Sequence, residues 1–133
     1  MSLDPFARRS VEEYLDALAS DAPAPGGGSV AGLVGALAAG LAEMVAGLTK
    51  DGPAELRRAH QDLRRLRSQA LATAEADERA YSAYVAASRL PKATSDEKAR
   101  RRAQMQDAIR HAAEVPLSLA AIGVSILEHL SPV

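Results

Sequence analysis

The chain has 133 residues, 16 basic and 17 acidic side chains for a formal net charge of -1, three His and no Cys or Trp. That length suits one domain with its own core. The missing cysteines exclude a disulfide frame and thiolate metal sites, the scattered His match no zinc spacing, so no metal is expected, and the balanced charge gives no field for nucleic acid or a membrane surface.

Aromatic residues make up 3%, too few for base stacking on an aromatic sheet. Ala, Leu, Arg and Glu dominate, which points to an all-α protein. The first residues, with Asp4, Pro5, Arg8 and Arg9, lack the layout of a secretory signal, so a cytoplasmic location is expected.

The first helix is predicted over residues 11–19. Ser10 and Glu13 form a capping box, and Tyr14, Leu15 and Leu18 give an apolar face at helical spacing. Pro23-Ala-Pro-Gly-Gly-Gly then breaks the chain. The second helix is predicted over 29–49, with Ser29 as its N-cap. Three glycines before it allow a sharp turn or close approach by a ligand, and the free amides of the helix start favour an anionic group.

The second helix is long and apolar enough to raise a membrane reading. Glu43 lies inside it, however, and no aromatic or basic belt flanks it. A central helix is the better account. Gly32, Ala36, Gly40 and Ala31, Gly35, Ala39 form flat strips for close packing, and Glu43 reads as its exposed position. Few other helices are available to cover it, so a homodimer with this helix near the two-fold axis is expected.

Asp51, Gly52 and Pro53 end that helix and open a third over 54–88. Leu56, Leu63, Ala70, Asp77 and Tyr84 share one heptad slot, with Ala59, Leu66, Thr73 and Ala80 beside it. The Arg cluster between Arg57 and Arg67 reads as a solvated face. Thr94 and Glu97 form a second capping box that opens a fourth helix running to about Leu130. Pro116 is expected to kink or interrupt it, and Ser131-Pro132-Val133 to stop it. The fold class is thus an antiparallel bundle of about four helices, treated as one domain over 1–133.

Asp77 is the sharpest chemical candidate. It stands in a packed seam, where a carboxylate needs hydrogen bonds, and desolvation of a carboxyl makes it a useful acid or base near neutrality. The alternative role is a cap on a neighbouring helix. Tyr81 and Tyr84 flank it and could line a cleft or simply pack. Arg89 and Lys92 could hold a carboxylate-bearing ligand or serve as ordinary helix-end charges. His60 and His111 have no nucleophile pattern around them.

Pro23-Ala-Pro-Gly-Gly-Gly-Ser-Val30 with its small-residue helix resembles the cyclodeaminase/cyclohydrolase family of folate enzymes. Tyr14-Leu-Asp-Ala-Leu-Ala-Ser20, Asp77-Glu-Arg-Ala-Tyr81, Arg89-Leu-Pro-Lys92 and Glu114-Val-Pro-Leu117 agree in order and spacing. Family members continue with further helices, so this chain resembles a shortened version, and Glu75 stands where the family often has Asp. The resemblance implies a dimerising helical bundle with a folate pocket near the subunit interface. The chemistry implied is on the one-carbon bridge between N5 and N10 of tetrahydrofolate, with no cofactor beyond that carrier. Asp77 would be the catalytic acid/base. Gly26, Gly27, Gly28, Ser29 and Tyr81 would contact the substrate, and Arg89 or Lys92 its glutamate tail. A non-catalytic folate-binding or scaffold protein is the alternative.

Overall fold

A computed structural model describes residues 8–49 and 52–130. Asp51 and the Ser131-Pro132-Val133 end, read above as helix stops, lie outside the described residues. Four helices follow one another: α1 (Val11–Ala19), α2 (Gly27–Leu48), α3 (Ala54–Ser88) and α4 (Ser95–Leu130). No strand occurs among the described residues, and the expected all-α class holds.

Both capping boxes form. The Ser10 hydroxyl accepts from the Glu13 amide while the Glu13 carboxylate accepts from Ser10 N. At the start of α4, Glu97 accepts from the amides of Ala93 and Thr94, and Thr94 Oγ1 accepts from Glu97 N. The backbone hydrogen bond from Ser10 holds the Glu13 carboxyl below its ordinary range, and those from Thr94 and then Ala93 do the same for Glu97. These reciprocal bonds satisfy amides that a helix start otherwise leaves open.

α2 and α3 run antiparallel. Moving forward along α2, Gly32 lies against Ala70 and Ala74, Gly40 against Arg67, and Gly47 against His60. The buried row of α2 is made only of small residues: Ser29, Gly32, Ala36, Ala39, Ala42 and Ala46. A Cβ on Gly32 would sit 2.8 Å from Ala74 Cβ and 3.0 Å from the Ala70 carbonyl oxygen. The two backbones therefore approach there as only glycine allows. Of the predicted small-residue strips, Gly32, Ala36 and Ala39 are buried, Gly35 and Gly40 half-buried, and Ala31 is exposed.

The larger α2 side chains Val34, Leu37, Leu41, Met44 and Leu48 face outward, at alternating spacings of three and four. Glu43 is not the exposed position the sequence suggested. Its carboxylate accepts from Arg67 Nε of α3 at 2.8 Å, with its side chain 16% accessible. Arg67 is the group that drew it inward, and the pairing tacks the far part of α2 to α3.

α4 returns along α3. Arg101 Nε donates to the Ser88 carbonyl at 3.0 Å, and His129 Nε2 meets Asp62 Oδ2 at 3.3 Å. The hydrogen bond from Arg65, followed by that from His129, holds the Asp62 carboxyl below its ordinary range. Of the two outcomes expected at Pro116, interruption does not occur, and α4 runs through it. The proline has no amide for the Ala112 carbonyl four residues back, so the helix passes it one hydrogen bond short. One core cluster joins Ala39, Ala42, Leu63, Leu66 and Ile126, and a second joins Tyr14 and Ala74 with Leu18, Val30, Leu33 and Leu71 around them. α2 and α4 are long and apolar enough to cross a membrane by length and composition.

Two glycine substitutions should act with opposite signs. Gly32→Ala gains about 1 kcal/mol of helix propensity but overpacks a backbone contact, at a cost of about 1–3 kcal/mol. Net destabilisation in urea denaturation is expected. Gly123 has nothing within 4 Å of an added Cβ, so Gly123→Ala should stabilise by about 0.5–1 kcal/mol in the same assay.

Candidate active site

The site grows from the way α2 begins. Its first residue is Gly27 and its N-cap is Gly26, which has no side chain to accept a hydrogen bond. Ser29 is therefore not the cap that the sequence suggested. It is the third helical residue, whose amide needs an acceptor. Asp77 supplies it from α3: Ser29 N donates to Asp77 Oδ2 at 2.9 Å. A carboxylate at a helix start also sits favourably in the field of the helix dipole.

Asp77 thus performs the neighbouring-helix capping that was one of its two sequence readings. The position of its carboxylate explains one glycine of the three. A Cβ on Gly28 would collide with Asp77 Oδ1 and the rest of that carboxylate. Gly26 and Gly27 have open space where a Cβ would be, and none of the glycines has positive φ. The bend thus needs close approach at Gly28 and no left-handed backbone.

Around this contact lies a cleft of about 460 Å³, lined by residues 22–28 with Asp77, Tyr81 and Ala112. The Ala24–Pro25 peptide in its wall is cis. Gly26, Gly27, Gly28, Asp77 and Tyr81 are brought together as expected. Tyr81 is half-exposed and its ring is tilted 42° to that of Tyr84 at 6.2 Å. Ala112, whose carbonyl lacks the amide partner that Pro116 cannot give, faces the same cleft.

Ser29 was expected to touch substrate, but it is fully buried. Its hydroxyl donates to Glu78 Oε1 at 3.2 Å and meets Tyr14 Oη at 3.1 Å. Glu78, 7% exposed, is in turn paired with Arg9, whose Nη2 donates to Oε2 at 2.8 Å and Nη1 to Oε1 at 3.4 Å. Every buried side-chain polar atom among the described residues has a partner. Glu78 and Arg9 escaped the sequence reading. Glu78 follows the buried Ala70 and Ala74 at four-residue spacing and falls one position past the heptad slot of Asp77. Its partners, Ser29 of α2 and Arg9 ahead of α1, are far away in the sequence.

Arg89 and Lys92 are not in this cleft. Arg89 caps α3 with its backbone, donating to Ala86 and Ala87 carbonyls, and lies about 18 Å along the helix from Asp77 at 1.5 Å per residue. Lys92 lines a separate groove of about 470 Å³ with Lys98, Arg101 and Arg102 of α4. A larger groove of about 710 Å³ between α3 and α4 is walled mostly by alanines, with Gln104, Asp107 and His111 on its polar edge. The glycine cleft is the better candidate because there a carboxylate, a phenol and free backbone converge. His111 pairs with Glu114 on the surface, and no group of three metal-ligating side chains occurs among the described residues.

Comparison with known proteins agrees with this architecture. The formiminotransferase-cyclodeaminase family model matches residues 10–133. The methenyltetrahydrofolate cyclohydrolase of Methylorubrum extorquens is 35% identical over 125 residues, covering 90% of this chain and 60% of that enzyme. The formimidoyltransferase-cyclodeaminase of Sus scrofa is 36% identical over 119 residues, 84% of this chain and 22% of its own length. The crystal structure of formiminotetrahydrofolate cyclodeaminase from Thermotoga maritima superposes with a TM-score of 0.70 at 30% identity, over 87% of this chain and 57% of that one. The chain thus spans about three fifths of the two single-activity relatives.

The geometry makes the three glycines unequal. Gly28→Ala should displace Asp77 from the α2 start and destabilise the protein by about 1–3 kcal/mol in thermal or urea unfolding. Gly26→Ala, which meets no neighbour, should leave stability within about 0.5 kcal/mol.

Proposed function

The chain belongs to the formiminotransferase-cyclodeaminase family, and on that premise we propose that it is a folate-dependent one-carbon enzyme of the methenyltetrahydrofolate cyclohydrolase or formiminotetrahydrofolate cyclodeaminase type. The observation that carries the reading is the meeting of Asp77 with the glycine bend and Tyr81 in one cleft.

In the cyclohydrolase direction a water oxygen adds to the electrophilic methenyl carbon. One water proton passes to a base; the carbon–N5 bond then breaks as the remaining hydroxyl proton is lost to form the formyl C=O and N5 takes up a proton, so that N10 keeps the formyl group and one proton is released. Asp77 is the group proposed to take the proton. One of its oxygens is held by Ser29 N, which fixes the carboxylate's orientation for general-base work. The side-chain-free faces of Gly26 and Gly27 let a flat pterin lie against backbone, and Tyr81 offers a ring edge and a hydroxyl to it. Arg89 at the C-cap of α3 and Lys92 in the connection to α4 are proposed for the anionic tail of an extended folate.

We also propose that the working species is a homodimer in the cytoplasm. The outward row Val34, Leu37, Leu41, Met44 and Leu48 has the three–four spacing with which two helices interlock. Packing by a second copy would cover it and place α2 near the two-fold axis.

Two measurements test these statements. The absorbance of methenyltetrahydrofolate should decay faster with the protein than without it, and Asp77→Asn should lower kcat by about 10²–10⁴-fold. Turnover unchanged in Asp77→Asn would remove Asp77 from the chemistry. Thermal stabilisation by folate with no acceleration would leave a binding module instead. In detergent-free buffer, light scattering at micromolar concentration should report a dimer, and Leu41→Glu should report a monomer. A wild-type monomer, or aggregation that only detergent relieves, would refute the dimer.

A further inference from the structure

We propose that Glu78, clamped by Arg9, is a positioning residue that sets the catalytic geometry through Ser29. The inference rests on the reading of Asp77 as the reacting carboxylate. It adds residues which lie behind the cleft and touch no substrate.

Ser29 has two polar handles, and adjacent residues of α3 hold one each. Its amide is bound by Asp77 and its hydroxyl by Glu78. The hydroxyl donates to Glu78, so it can accept from Tyr14 Oη at 3.1 Å. Glu78 is nearly all buried, and a buried carboxylate persists only with a counter-charge and hydrogen bonds. Arg9 provides both through a forked contact with the two oxygens. The line Arg9–Glu78–Ser29 therefore fixes the first turn of α2 against α3 independently of Asp77.

Two attachments at one residue have a geometric consequence. With Asp77 alone, the α2 start could pivot about a single hydrogen bond and the carboxylate could follow it. With Glu78 holding the Ser29 hydroxyl, the amide is presented to Asp77 from one direction. Gly28 then lies close against the carboxylate, and rotation of the Asp77 side chain is blocked on that side. Small errors in such orientation lower turnover without weakening binding in proportion.

The test is a double-mutant cycle with methenyltetrahydrofolate as substrate and amide exchange as a second readout. Glu78→Gln should lower kcat about tenfold while KM stays within about twofold. In the Asp77→Asn background the same change should cost no further kcat, because the two residues act as one unit. The amide of Ser29 should exchange about tenfold faster in Glu78→Gln, with those of Leu63 and Leu66 unchanged. If Glu78→Gln does not fold, Ser29→Ala leaves the Arg9–Glu78 pair intact and should give the same kinetic pattern and faster exchange at position 29. An equal loss of kcat in both Asp77 backgrounds overturns the inference, and so does unchanged exchange at position 29. Should Asp77→Asn itself keep full turnover, the catalytic reading falls separately, and exchange at position 29 alone decides whether Glu78 positions the helix start.

Discussion

The site depends on a helix that starts with a residue unable to cap it. Gly26 offers α2 no side-chain acceptor, and the amide of Ser29 turns to Asp77 on another helix. A local cap contributes about 1 kcal/mol to a helix. Moving that function to a distant carboxylate does more, because it fixes the angle and register between α2 and α3 at the cleft. The neighbouring Arg9–Glu78 pair is buried enough that losing one partner costs about 3–5 kcal/mol. The α2 start is joined to that pair through the Ser29 hydroxyl, which donates to Glu78 beside the amide's hydrogen bond to Asp77.

Much of the fold was legible in short-range chemistry. Ser10 with Glu13 and Thr94 with Glu97 mark helix starts because capping is a contact between residues three apart. Asp77 stood out because a carboxylate in an apolar seam requires an explanation. Ser29 misled for a related reason. Serine is a preferred cap, but the helix begins at Gly27 and the serine is already inside it. Sequence shows which residues can cap and does not show that a remote side chain has taken over the task. Glu43 was misread in the same way, since its partner Arg67 sits 24 residues away.

Glu78 and Arg9 were invisible for a different reason. Helix periodicity reports the face turned to the main neighbour, and for α3 that neighbour is α2. Glu78 accepts from Ser29 of α2 and also from Arg9 ahead of α1, a partner that the periodicity of α3 does not report. Arg89 and Lys92 were grouped with the site by chain order, while the last three turns of α3 carry Arg89 about 18 Å from Asp77, with Lys92 beyond it. The glycine run was singled out for a sharp turn or a close approach, and close approach is what Gly28 uses. Its value is the missing Cβ at Gly28.

α2 also divides its residues by size in the reverse of the usual sense. Ser29, Gly32, Ala36, Ala39, Ala42 and Ala46 face inward, and Val34, Leu37, Leu41, Met44 and Leu48 face outward. The small side chains allow close helix contact but release little hydrophobic free energy, at about 25 cal/mol per Å² of apolar area removed from water. The larger share lies on the outer row, where the single chain leaves it hydrated. Whatever shields that row contributes to the folded state by mass action. With the proposed second copy on that row, resistance to heat would rise with protein concentration, and dilution itself would act as a denaturant.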